Sequence, residues 1–157
     1  MMRSDRPRRW PAYAVAGLFL GYAAGKAAFA TQARLGFPGG PPVPASEAAS
    51  YFMDAATAQW LATASGVAGA GIVLLTVLPP GRRVPRWLML LVLTGMAAAV
   101  CGGAGIMAVD GFVGIGVGWQ WYHGLLGITV IVLFLETIRS YAASTGGRRF
   151  VGGRTGP

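Results

Sequence analysis

Cysteine, histidine and acid are scarce in this chain of 157 residues, which carries one Cys, one His and five Asp or Glu. A single sulfur excludes an intramolecular disulfide and a thiolate zinc cluster. Cys101 falls within an apolar run and reads as a small buried packing residue. A lone His123 excludes bis-histidine haem ligation, and the scattered carboxylates lack the spacing of a metal site. No metal and no cofactor is therefore expected. There is no Ser/His/Asp set, no His-x-x-x-His or Glu-x-x-His pair and no nucleotide fingerprint. The pattern Gly114-Ile115-Gly116-Val117-Gly118 follows no strand and precedes no Lys-Ser/Thr, so it is not a phosphate loop.

Charge is short as well. Charged residues make up 11% of the chain and hydrophobic ones 54%, against about 25% charged in ordinary soluble domains. A soluble protein of this size has too much surface for its volume to hide so much apolar area. Asp, Glu, Lys and Arg are absent from residues 10–25, 55–81, 87–109 and 111–135. About 20 apolar residues at 1.5 Å each cross a bilayer core, and a hydrogen-bonded helix satisfies the backbone there. Residues 55–81 and 87–109 reach that length outright. Residues 10–25 reach it if Lys26 is tolerated near one end, and residues 111–135 if His123 is.

The expected fold is an all-α integral membrane protein, an antiparallel bundle of four transmembrane helices. They run over about residues 11–33, 47–79 (lipid-embedded over about 55–79), 86–108 and 118–141. Residues 1–145 form one domain, and 146–157 a disordered, basic cytoplasmic tail. Pro11 is well placed in a first helical turn. Ser46 is the expected cap of the second helix, with Glu47 in its first turn. Between them lies the longest connection, whose run Phe37-Pro38-Gly39-Gly40-Pro41-Pro42 favours extended or turning backbone. The link of residues 80–85 is tight and predicts that spans two and three are neighbours. Residues 110–118 read as a flexible, partly membrane-dipping link.

The charge that is present gives orientation. Basic residues gather in loops that remain in the cytoplasm. Arg3, Arg6, Arg8, Arg9, Arg82, Arg83, Arg86, Arg139, Arg148, Arg149 and Arg154 all fall on one side of this topology. The other side has Arg34, with Lys26 just beneath the surface, beside Glu47, Asp54 and Asp110. Tryptophan prefers the headgroup level; Trp10 and Trp87 mark the inner face, and Trp60, Trp119 and Trp121 the outer. Both termini are thus expected in the cytoplasm. Residues 1–30 also outline a cleavable signal peptide ending at Ala28-Phe29-Ala30. Lys26 beside the cleavage point and the length of the apolar run favour a retained span. Twelve Arg against one Lys, with abundant Ala and Gly, point to a high-GC bacterial genome and hence to a bacterial cytoplasmic membrane.

Helices in lipid associate through close packing at small residues. Gly17, Gly21 and Gly25 recur on span one, Ala58, Ala62, Gly66 and Ala70 on span two, and Gly95, Ala99 and Gly103 on span three. Residues four apart share a face, so each row is read as an internal packing seam, or alternatively as a homodimer groove.

Polar groups at membrane depth are costly and mark sites. Lys26 lies about 8–10 Å below the outer end of span one, within reach of snorkelling. His123 follows Trp119, Gln120, Trp121 and Tyr122 about a turn below the outer interface, and Gln59 enters span two at similar depth. Lys26, Gln59 and His123 are read as an outer polar layer roofed by the Pro/Gly loop, with Trp60, Asp110, Trp119, Gln120 and Tyr122 around it as ligand- or partner-binding residues. Near the inner end, Glu136 and Arg139 are spaced for a helical ion pair. The leading functional expectation is a non-catalytic accessory protein that binds a membrane partner, a lipid-like ligand or a second copy of itself. The alternatives are a membrane enzyme acting on an amphiphile, with His123 as base and Asp54 or Lys26 assisting, and a small proton-linked transporter. The split basic arms fit topology and anionic lipid better than nucleic acid.

Overall fold

The structure, a computed structural model, describes residues 8–146, which are helical and turn-forming throughout. Four helices are long and apolar enough to cross a membrane: α1 (Trp10–Ala30), α3 (Ala55–Leu75), α4 (Arg86–Val113) and α5 (Trp121–Gly146). They contain 21, 21, 28 and 26 residues. The five-residue α2 (Ala45–Ala49) precedes α3, and a 3-10 turn, Pro79–Arg83, precedes α4. Residues 1–7 and 147–157, which include Arg3, Arg6, Arg148, Arg149, Arg154 and nearly all of the expected tail, lie outside the described residues.

Each boundary has a local cause. Pro11 sits in the first turn of α1, where its missing N–H costs nothing. The helix ends in a turn in which Ala33 takes φ +47°, and the Arg34 N–H donates back to the Phe29 carbonyl. The helix expected over 47–79 is broken. α2 begins after Pro44 without a side-chain cap, so Ser46 does not cap it. It closes at Ser50, whose Oγ donates to the Glu47 carbonyl. A second start follows at Asp54, whose carboxylate accepts from the Thr57 N–H at 2.9 Å. Asp is among the strongest N-caps because it satisfies an orphan amide of the first turn.

α4 runs past the expected residue 108 to Val113 and ends on Gly114, at φ +70°. The link that follows, expected to be flexible, is tied down. The Asp110 carboxylate accepts from the backbone N–H groups of Gly116, Gly118 and Trp119 at 2.6, 2.9 and 3.0 Å.

α1 packs along α3 and α4 along α5, with a smaller contact between α1 and α5. α3 and α4, despite their tight link, are not one of these close pairs; Met96 of α4 reaches towards Gly69 of α3. The core combines Ala12, Val15 and Ala16 of α1, Ala70 and Val73 of α3, Met89 and Leu93 of α4, and Phe134 and Tyr141 of α5. Phe19 meets Phe134 edge to face, with ring centroids 6.1 Å apart. Large apolar side chains elsewhere, Leu91 and Ile106 among them, point outward, as they do in a helix solvated by lipid.

The small-residue rows divide. Gly66 is a seam: a methyl group there would lie 3.0 Å from Ala23 Cβ and from the Tyr22 ring. Ala58, Ala62 and Ala70 share its face and are buried or half-buried. Gly17, Gly21, Gly95 and Gly103 have nothing within 4 Å of a Cβ, and Gly25 meets the Phe37 ring of the loop rather than a helix. α4 and α5 close instead at Gly127, where a methyl group would strike the Ala104 carbonyl. Cys101, expected to be buried, is exposed on α4.

Candidate functional site

Two of the three residues expected in the outer polar layer meet. Gln59 is 2% exposed, and its Nε2 donates to the Arg34 and Gly36 carbonyls at 2.8 and 2.9 Å. Lys26 Nζ donates to the same Gly36 carbonyl at 2.9 Å and lies 5.6 Å from the Tyr22 ring centroid. One carbonyl therefore receives a donor from α1 and another from α3. Gly36 itself has φ +111°, a backbone conformation suited to glycine. Next to it the Phe37 ring stacks on Tyr22 with centroids 6.0 Å apart. The start of the Pro/Gly loop is thus latched onto the α1–α3 pair. Lys26 and Gln59 serve the backbone, which explains how polar groups are tolerated at that depth.

His123 does not join them. Its Nδ1 accepts from the Gln120 N–H at 3.2 Å, and its ring packs against Trp119 and Tyr122. The Trp119 ring in turn lies against Gly40, 3.1 Å from where a side chain there would begin. The roof is therefore real but bipartite: Lys26 and Gln59 hold one end of the loop, and the Trp119–His123 segment touches its tip. Gln120 is exposed and donates through Nε2 to the Gly118 carbonyl at 3.5 Å. Tyr122 and Trp60 are about half exposed.

Asp54 and Asp110 are likewise committed to backbone. Asp54 caps α3, and the Thr57 hydrogen bond holds its carboxyl below the ordinary carboxylate value. Asp110, 3% exposed, gathers the link into α5. Among the described residues no hydrogen bond or ion pair joins Lys26, Asp54 or His123 to one another, and no three His, Cys, Asp or Glu are grouped to hold a metal. A depression of about 280 Å³ beside the latch is lined by Tyr22, Lys26, Glu47, Tyr51 and Gln59.

At the opposite end Arg139 and Glu136 pair at 3.4 Å, three residues apart, with Arg139 76% exposed. Ser140 Oγ also donates to Glu136, at 3.4 Å.

That end holds a feature absent from the sequence reading. A half-open cavity of about 480 Å³ is bordered by the first turn of α1, the end of α3, the 3-10 turn, the start of α4 and the last turns of α5. Arg8, Arg9, Arg82, Arg83 and Arg86 line it, together with the hydroxyl-bearing Thr76, Thr137, Ser140, Tyr141, Ser144 and Thr145. Among the described residues no acidic side chain lines it. Arg86 is positioned by α5, donating from Nε to Thr145 Oγ1 at 3.0 Å and from a terminal nitrogen to the Ala142 carbonyl at 3.4 Å. The signal that could have found this cavity is the hydroxyl row of α5. Thr137, Ser140, Ser144 and Thr145 recur at helical spacing on one face, facing the arginine-bearing end.

Comparison with protein-family models, with curated proteins and with solved structures yields no match.

Proposed function

We propose that the protein is a non-catalytic accessory protein of a bacterial cytoplasmic membrane, an antiparallel bundle with both termini inside, whose outer end docks on a membrane-embedded protein partner. The observation that carries the reading is the latch. Lys26, Gln59 and Asp110, the polar groups that would equip an outer active site, are bound to backbone and hold the two outer connections in place. A polar site built for chemistry needs acid–base groups within reach of one another and of a substrate. Lys26, Asp54 and His123 are instead each engaged with a different stretch of chain.

What the outer end does offer is a fixed apolar rim. Phe52, Ile115, Val117 and Trp121 are each more than half exposed. Exposed apolar groups on a backbone already ordered suit an interface, because little entropy remains to be lost on docking. Orientation is supported by the arginines: Arg8, Arg9, Arg82, Arg83 and Arg86 share one end, as the positive-inside rule requires of a cytoplasmic face.

The test is purification of the tagged protein from native membranes in mild detergent, with identification of what accompanies it. A stoichiometric membrane protein is expected, and Phe52→Ser with Trp121→Ser should release it. Recovery of the protein alone, or a partner indifferent to those changes, would overturn the reading. A reporter fused after Pro157 should be cytoplasmic.

A further inference from the structure

Four helix ends meet at the basic cavity, the N-terminal ends of α1 and α4 and the C-terminal ends of α3 and α5. Their dipoles oppose one another and contribute little net field. The charge is therefore that of the arginines. Five guanidinium groups line one cavity, and among the described residues the single ion pair is Arg139 with Glu136, so none of the five is neutralised there. Holding like charges together around a concave surface raises the local potential and concentrates anions. Arginine forks match the oxygens of phosphate, and their planar geometry allows paired hydrogen bonds.

The walls narrow the choice of anion. Beside the arginines the cavity is lined by Leu75, Val77, Leu78 and Val84, apolar side chains at the end of a membrane-spanning helix. The hydroxyls of Thr76, Thr137, Ser144 and Thr145 each donate to a backbone carbonyl of their own helix, and Ser140 donates to Glu136, so the donors facing an anion are guanidinium N–H groups and the Tyr141 hydroxyl. The volume lies within the range of about 300–1,000 Å³ typical of small-molecule sites. We propose that this cavity binds the phosphate of an anionic phospholipid headgroup, gripped chiefly by Arg82 and Arg83, with Arg8, Arg9 and Arg86 completing the positive field. The apolar wall takes the adjoining glycerol and upper chain. The assignment is independent of any outer partner.

The experiment is thermal unfolding and native mass spectrometry of the full chain in detergent, titrated with phosphatidylglycerol, phosphatidylcholine or inorganic phosphate. Phosphatidylglycerol should raise the melting temperature and remain bound as a single lipid, while phosphatidylcholine at equal concentration should do neither. Each arginine near an anionic surface contributes about fivefold to affinity, so Arg82→Gln with Arg83→Gln should weaken binding about 25-fold. Arg82→Lys with Arg83→Lys, which keeps charge but not the fork, should fall between. The charge-matched control Arg34→Gln with Arg139→Gln should stay close to wild type. Equal effects of the two lipids, or equal losses in the two Gln pairs, would overturn the site. Stabilisation by inorganic phosphate with no further gain from phosphatidylglycerol would overturn the lipid assignment. If the double Gln variant does not fold, the lipid selectivity of the unaltered protein still decides the matter.

Discussion

The two ends of the molecule use polar side chains in opposite ways. At the end that carries the Pro/Gly loop Lys26, Gln59, Asp54 and Asp110 all bond to main-chain groups, and the result is order in the connections. At the opposite end Arg8, Arg9, Arg82 and Arg83 surround a cavity without a carboxylate within ion-pair distance among the described residues. Both ends are polar, one arginine-rich and the other acidic with a single lysine. A further difference is in what each polar group has been given to bind. A polar group with a backbone partner stabilises a shape, whereas one left facing a cavity is available to a ligand.

If that contrast is right, removing polar groups at the loop end should cost stability and removing arginines at the cavity end should cost binding. The largest loss is expected for Asp110→Ala, which orphans the amides of Gly116, Gly118 and Trp119 together; thermal unfolding in detergent should show the steepest fall of this series. Gln59→Leu keeps the bulk but frees the Arg34 carbonyl and leaves Gly36 to Lys26 alone, at a cost of about 2 kcal/mol for the two bonds lost. Hydrogen exchange of residues 34–44 should rise with it, and an unchanged loop would break the idea of a latch.

Asp54 offers a smaller effect with a pH signature. Its folded-state carboxyl is held below the ordinary value of 3.8 by the Thr57 hydrogen bonds. Its charged form therefore adds stability above about pH 4, and that contribution fades as pH falls through the lower folded value. The stability gap between wild type and Asp54→Asn should be constant near neutrality and shrink in acid; a gap independent of pH would remove the charge from the cap. Smallest of all, Glu136→Gln should change stability by less than about 0.5 kcal/mol, because the pair with Arg139 is largely exposed.

The four long helices were legible because apolar length is a one-dimensional property. The meeting of Lys26 and Gln59 was legible for the same reason, since counting along each helix brings them to one level. Their common partner was not, since the Gly36 carbonyl depends on the path of an irregular loop. His123 was grouped with them by its place along the chain, but it meets Trp119 and Tyr122 instead; position along a helix does not fix direction around it. The break before α3 left a sign in the sequence, Asp54 three residues before Thr57, but Ser46 and Glu47 offered a competing start. Small-residue rows were the least informative. Gly66 and Gly17 look alike in sequence, yet one is wedged against α1 and the other faces open space. The basic cavity went unseen because the arginines already had a sufficient explanation in topology. Their convergence arises from four helix ends that sequence separation keeps far apart.

Helix length has its own consequence. At 1.5 Å per residue, α1 and α3 are each about 32 Å long, close to the hydrocarbon thickness of about 30 Å, whereas α4 and α5 reach about 42 and 39 Å. Since the short rods pair with each other and the long ones likewise, the bundle has a low flank and a tall one. The added height is not apolar: Asp110 stands in the last turn of α4, and Glu136 and Arg139 stand within α5. Misfit with lipid is set by apolar length, so the tall flank need not stretch a bilayer; its extra turns carry charge past the apolar stretch.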